Sequence, residues 1–182
     1  MPKYAFAFLL VALGASSCSQ KPAEPTGSDV LATNDFENLD GWLADSPALV
    51  TLTKSRAHSG VYSTQAGPGY DFSLGYNNQL SRLAPEWPGK LKVSAWVLLP
   101  NDQAAAKLVM EVKSGATTSA GLLWEGLDLT KAVKSYNKWQ YVEQTITLPE
   151  TAKPTSRLLV YLWRADSKQP VYLDDLKISR VK

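Results

Sequence analysis

Residues 91–99, LKVSAWVLL, lie between Pro88-Gly89 and Pro100-Asn101, and their reading decides the fold. Val93, Ala95 and Val97 share one side of an extended chain; Ser94, Trp96 and Leu98 share the other. That period of two, closed at both ends by turn residues, is the mark of a strand. Working outward, the pattern recurs. Residues 107–113 (KLVMEVK) alternate Leu108, Met110 and Val112 against Val109, Glu111 and Lys113. Residues 48–54 (ALVTLTK) alternate and run to a turn at Ser59-Gly60, and 61–65 are closed by Gly67-Pro68-Gly69. Further strands are expected over 72–76, 139–148, 157–163 (RLLVYLW) and 171–178. Only 128–134 has helical character, with Asp128 placed to cap a single turn. Nine or ten short strands at this spacing predict an all-β, two-sheet antiparallel β-sandwich of the jelly-roll type. Strand order does not follow from periodicity.

The N-terminus has another composition. Lys3 precedes an apolar run, 4–13 (YAFAFLLVAL), that has the length of a signal-peptide core and is too short to span a bilayer. Gly14, Ala15, Ser16 and Ser17 follow, then Cys18, the only cysteine of the chain. The segment LGASSC resembles a bacterial lipobox, with Ala15 where leucine is usual. That resemblance implies that Cys18 becomes the acylated first residue of a lipoprotein anchored in the cell envelope, with the outer membrane expected. The alternative is an ordinary secretory leader and a free thiol. Several acyl chains, at about 0.8 kcal/mol per buried CH₂, anchor a protein stably. Residues 1–17 are then the leader, 18–29 a flexible tether rich in proline and polar residues, and 30–182 one domain. Loss of Lys3 takes the formal charge from +2 to +1. So weak a field gives no reason to expect a nucleic-acid partner.

Five blocks resemble the bacterial carbohydrate-binding modules of the family 4/9/22 type. They are Asn34-Asp35-Phe36-Glu37 with Gly41-Trp42; 58–63 (HSGVYS); 91–97 (LKVSAWV); Lys138-Trp139-Gln140 with 145–149; and 172–178 (YLDDLKI). They occur in family order across nearly the whole domain. The resemblance implies a galactose-binding-domain-like jelly roll whose first strand starts at the Asn34 motif. It also implies a structural calcium tying the first strand to the last. Its carboxylates would be Glu37 and Asp174, with Asp175 as the second choice and main-chain carbonyls near Ser59-Gly60. Hard oxygen donors of this kind suit calcium. On a regular strand Asp174 and Asp175 point to opposite faces, so only one joins Glu37. The other reading is that these acids bond loop backbone or stay solvated.

A sugar ring lays its C–H face on an aromatic ring while its hydroxyls meet polar side chains, a contact worth on the order of 1 kcal/mol beyond burial. Tyr161 and Trp163, two apart, project from one side of their strand, leaving Leu158, Val160 and Leu162 for the core. With Glu111 and Lys113 they form one candidate glycan floor. Trp96 is a further ligand candidate, its face unassigned. Loop residues Tyr70, Tyr76, Asn77, Asn78, Trp87 and Trp124 offer an alternative site at the rim. Trp42 and Trp139 are expected in the core. His58, the only histidine, falls in a turn motif, so a triad or multi-histidine metal centre has little to be built from. The reading is a non-catalytic cell-envelope lipoprotein whose domain binds a poly- or oligosaccharide. Its alternatives are a structural or adhesion module that meets an envelope protein, and a small glycan-active enzyme with two acids across a cleft.

Overall fold

Strand alternation finds its backbone partners in two antiparallel sheets. The computed structural model describes residues 29–39, 42, 50–116 and 119–181; the leader, Cys18 and most of the tether lie outside them. The described strands are β1 (Val30–Asn34), β2 (Leu52–Thr53), β3 (Ser63–Ala66), β4 (Tyr76–Gln79), β5 (Lys90–Leu98), β6 (Lys107–Lys113), β7 (Gly121–Asp128), β8 (Gln140–Thr147), β9 (Arg157–Trp163) and β10 (Val171–Arg180). One sheet runs β2-β3-β10-β5-β8 with β1 also on β10, and the other runs β4-β9-β6-β7. Two single turns of helix, α1 (Leu80–Leu83) and α2 (Leu129–Ala132), close connections, and Asp128 caps α2 by accepting from the Thr130 amide. Among the described residues no helix is long and apolar enough to cross a membrane.

The core lies between the sheets. Val93, Ala95 and Val97 from β5 are fully buried, as are Leu108, Met110 and Val112 from β6 and Leu158, Val160 and Leu162 from β9. Burying each large aliphatic chain contributes about 1.5–3 kcal/mol. Because side chains alternate, fixing these positions inward turns Lys107, Val109, Glu111, Lys113, Tyr161 and Trp163 outward on the second sheet.

Four expectations change. β4 begins at Tyr76 rather than 72, because the chain at Gly75 passes so close to β9 that a Cβ there would stand 1.9 Å from the Val160 carbonyl oxygen. β1 ends at Asn34 instead of starting there: the Asn34 side chain accepts from the Phe36 amide at 2.6 Å, and Phe36 turns to φ +61°. β7 was not marked by alternation, since this edge strand is half-buried along most of its length and carries two glycines. Of 48–54 only Leu52–Thr53 is a described strand, and 43–49 lie outside the described residues.

Candidate functional site

Two clusters of acidic and aromatic side chains stand apart in the fold. The first lies where β3 and β1 meet along one edge of β10. Strand β3 pairs with Val171–Leu173 and β1 with Leu176–Ser179, so Asp174 and Asp175 fall at the junction. The expectation that these two point to opposite faces fails. Asp175 adopts φ +48° within an irregular β10 register, and both carboxylates turn to the loop before β3. Asp174, fully buried, accepts from the amides of His58 (2.7 Å), Ser59 (3.1 Å) and Asp175 (2.8 Å). Burial pushes its carboxyl above the usual range, against the opposing pull of those amides. Asp175 accepts from the Ser59 hydroxyl at 2.7 Å and meets Nδ1 of His58. Glu37 accepts from the amides of Val61 (2.7 Å) and Tyr62 (2.6 Å).

This arrangement fits calcium poorly. The turn presents N–H groups to Glu37 and Asp174, where a cation needs carbonyl oxygens. Among the described residues no group of three or more His, Cys, Asp or Glu side chains is arranged to hold a metal. His58 stacks on Trp96 with ring centroids 4.0 Å apart and planes 13° from parallel, and meets the edge of Trp139. Trp96 therefore sits on the outside of the six-stranded sheet, far from Tyr161 and Trp163. A hollow of about 570 Å³ lies beside it, with Asn34, Ser94, Tyr141 and Asp175 in its lining. Two of its polar groups serve the fold, Asp175 by holding the turn and the Tyr141 hydroxyl by donating to Glu143 at 3.0 Å, while the buried Nδ2 of Asn34 has no partner among the described residues.

The second cluster covers the outer face of β4-β9-β6-β7. Tyr161 and Trp163 project together from β9, Glu111 lies across from Leu159 on β6, and Trp124 lies across from Glu111 on β7. The Tyr161 hydroxyl donates to Glu111 at 3.2 Å; burial first, then the Glu111 charge, pushes its pKa up to about 12, so the phenol stays protonated. Phe72 packs edge-on to Tyr161 at 5.6 Å, and Trp124 edge-on to Trp163 at 6.1 Å. Phe72 is 55% exposed and Trp124 48%. Gly126 lets the Trp124 ring lie down on the sheet, since a Cβ there would stand 2.9 Å from its far edge. Arg157 at the other end of β9 donates to the side chain and carbonyl of Asn77.

Of the six expected ligand residues, Tyr161, Trp163, Glu111 and Trp124 thus share a face. Trp124 joins it from a strand and not from a rim loop. Trp96 is on the opposite sheet, and exposed Trp87 belongs to the loop before β5, where Glu86 ties to Arg180 at the end of β10. Trp42 is buried against Tyr76, while Trp139 is only half-buried. Sequence reasoning missed Phe72, placed on the face by its backbone bridge to Trp163, and Lys107, whose ammonium lies 5.6 Å from the ring centres of both Trp124 and Trp163. Lys107 does share the alternation of Glu111 and Lys113, and that signal was legible.

No family model and no curated protein matches the chain. Solved structures do. The CBM22-1 xylan-binding domain from Paenibacillus barcinonensis Xyn10C is 23% identical with a TM-score of 0.54, over 85% of this chain and 96% of that one. A xylan-binding domain from CBM 22 gives 16% identity and a TM-score of 0.57, over 85% and 97%. The CBM22-1 and GH10 modules of Clostridium thermocellum xylanase 10B, complexed with xylohexaose, give 19% and 0.55, over 85% of this chain and 29% of that one. The fold is therefore the β-sandwich of carbohydrate-binding modules, and its neighbours are xylan-binding modules of CBM22.

Proposed function

We propose that this protein is a non-catalytic glycan-binding module whose site is the outer face of β4-β9-β6-β7, held at the cell envelope by a lipidated Cys18. The observation that carries the reading is the set Phe72, Tyr161, Trp163 and Trp124 on one sheet face, interleaved with Glu111, Lys107 and Lys113. A ring partly exposed on a sheet forgoes burial that the core offers, and stacking on a sugar's C–H face returns part of it. The flanking carboxylate and ammonium groups suit hydroxyls. Structural neighbours named for xylan binding support a saccharide ligand. An envelope protein is the other class of partner for an aromatic face, and the charged groups set among these rings favour the glycan.

Titrating soluble polysaccharides against intrinsic fluorescence tests the site. Trp163→Ala is expected to weaken binding about tenfold, equivalent to about 1.4 kcal/mol, while Trp96→Ala on the opposite sheet leaves it unchanged. Equal affinity in a folded Trp163→Ala variant would move the site elsewhere. The anchor is tested separately: Cys18→Ala is expected to shift the protein from the membrane fraction to the soluble one. An unmodified mature mass would remove the lipid from the proposal. Calcium enters this reading only as a proposal from the family resemblance, and the amides around Glu37 and Asp174 argue that backbone donors take its place.

A further inference from the structure

Among the described residues, Lys107 is the cation of the aromatic face that no carboxylate neutralises. Its neighbours are accounted for. Lys113 pairs with Glu111 at 3.4 Å and Arg164 with Asp71 at 2.8 Å, while Arg157 is held by Asn77. Asp128 stands opposite Lys107 in the β6–β7 register, yet its carboxylate is turned to the backbone and hydroxyl of Thr130 and to Lys131, at 3.6 Å. Among the described residues the Lys107 ammonium has instead two indoles, Trp124 and Trp163, each 5.6 Å away. Both rings are within cation–π reach of it. Its stem lies along Gly126, where a Cβ would stand 3.1 Å from Cδ, so the side chain runs across the sheet among the rings and not out into solvent.

An ammonium drawn in among aromatic rings loses hydration without gaining a counter-ion, so an anion delivered there is bound by a charge already in position. A sugar stacked on Trp163 or Trp124 carries its C6 substituent at the ring edge. In a neutral hexose that substituent is a hydroxymethyl group; in a uronic acid it is a carboxylate. The rest of the outward set leans the same way, since Lys107, Lys113 and Arg157 on β6 and β9 stand against Glu111 and, at the end of β7, Asp128. We infer that the face selects glycans bearing uronic-acid carboxylates, with the carboxylate on Lys107 and the ring on the indoles. This rests on the assignment of the glycan site to the same face.

Affinity electrophoresis of the full-length protein, with polygalacturonate as the acidic probe and neutral arabinoxylan and β-glucan as the comparison, tests it. At low salt the acidic probe is expected to bind about fivefold tighter, and the ratio should fall toward one as salt shortens the Debye length from about 30 Å at 0.01 M to about 3 Å at 1 M. Lys107→Gln should collapse the ratio, and Lys107→Arg should restore it, with melting curves confirming that both variants fold. If acidic and neutral probes bind equally, or Lys107→Gln leaves the ratio intact, the selectivity is wrong while the glycan face stands. If polygalacturonate binding survives Trp163→Ala, it is ion exchange on another surface and the inference falls. If no probe is bound at all, the glycan face falls with it.

Discussion

The junction at Asp174 and the outer face of the second sheet are built from the same residue types and put them to opposite uses. At the junction, acids are turned onto backbone amides, and Trp96 is covered by His58. On the outer face an acid meets a phenol, a lysine rests between indoles, and rings stay partly open to water. One region spends its acids on donors of its own chain, although the buried amide nitrogen of Asn34 and hydroxyl of Ser179 have no partner among the described residues. The other leaves stacking surface and charge for something that arrives. The difference teaches that a tryptophan beside an acid on a strand is no site until its neighbours are known.

Removing the central acceptor of the junction should have the largest effect. Asp174→Ala leaves three amide donors without a partner in a partly buried place, and an orphan that water does not reach costs about 1–3 kcal/mol. A loss of about 3 kcal/mol or more in urea denaturation is expected, and a shift under about 1 kcal/mol would mean that water replaces the carboxylate there. The two glycines sharpen the contrast. Gly60 has φ +56°, and a Cβ would stand 2.5 Å from Oε1 of Glu37, so Gly60→Ala should destabilise by about 1–2 kcal/mol. Gly126→Ala should leave the melting temperature unchanged or slightly higher, yet weaken glycan binding as the Trp124 ring lifts from the sheet. If both substitutions lowered stability alike, the outer face would be structural too. The smallest expected effect is that of calcium. Adding it to chelator-treated protein should leave the melting curve in place, because the amides already meet the carboxylates. A rise that Glu37→Ala abolishes would put an ion back into the junction by mass action.

Much of the fold was legible because strand burial has a period that sequence preserves. β6 and β9 coincide with their expected bounds, and the aliphatic side of β9 is the core side. The β1 boundary was not legible, because it depends on a side chain of Asn34 capturing a local amide. Nor was the shared direction of Asp174 and Asp175: alternation predicts opposite faces, and the left-handed backbone at Asp175 overrides it. In the candidate site, the pairing of Tyr161 with Trp163 followed from spacing alone. That Trp124 and Phe72 join them, and Trp96 and Trp87 do not, followed from strand order.

By itself the sequence determined the alternating strands, the inward aliphatic faces and the outward projection of Tyr161, Trp163, Glu111 and Lys107, since each depends on neighbours one or two residues apart. Tertiary structure decided which strands lie side by side. Only when β6 sits between β9 and β7 does Lys107 come to rest between Trp163 and Trp124, residues of two other strands. The same pairing along β10 brings Glu37, the His58 turn and Asp174 together. Local periodicity carries no information about pairing partners, because backbone hydrogen bonds between strands are chemically alike.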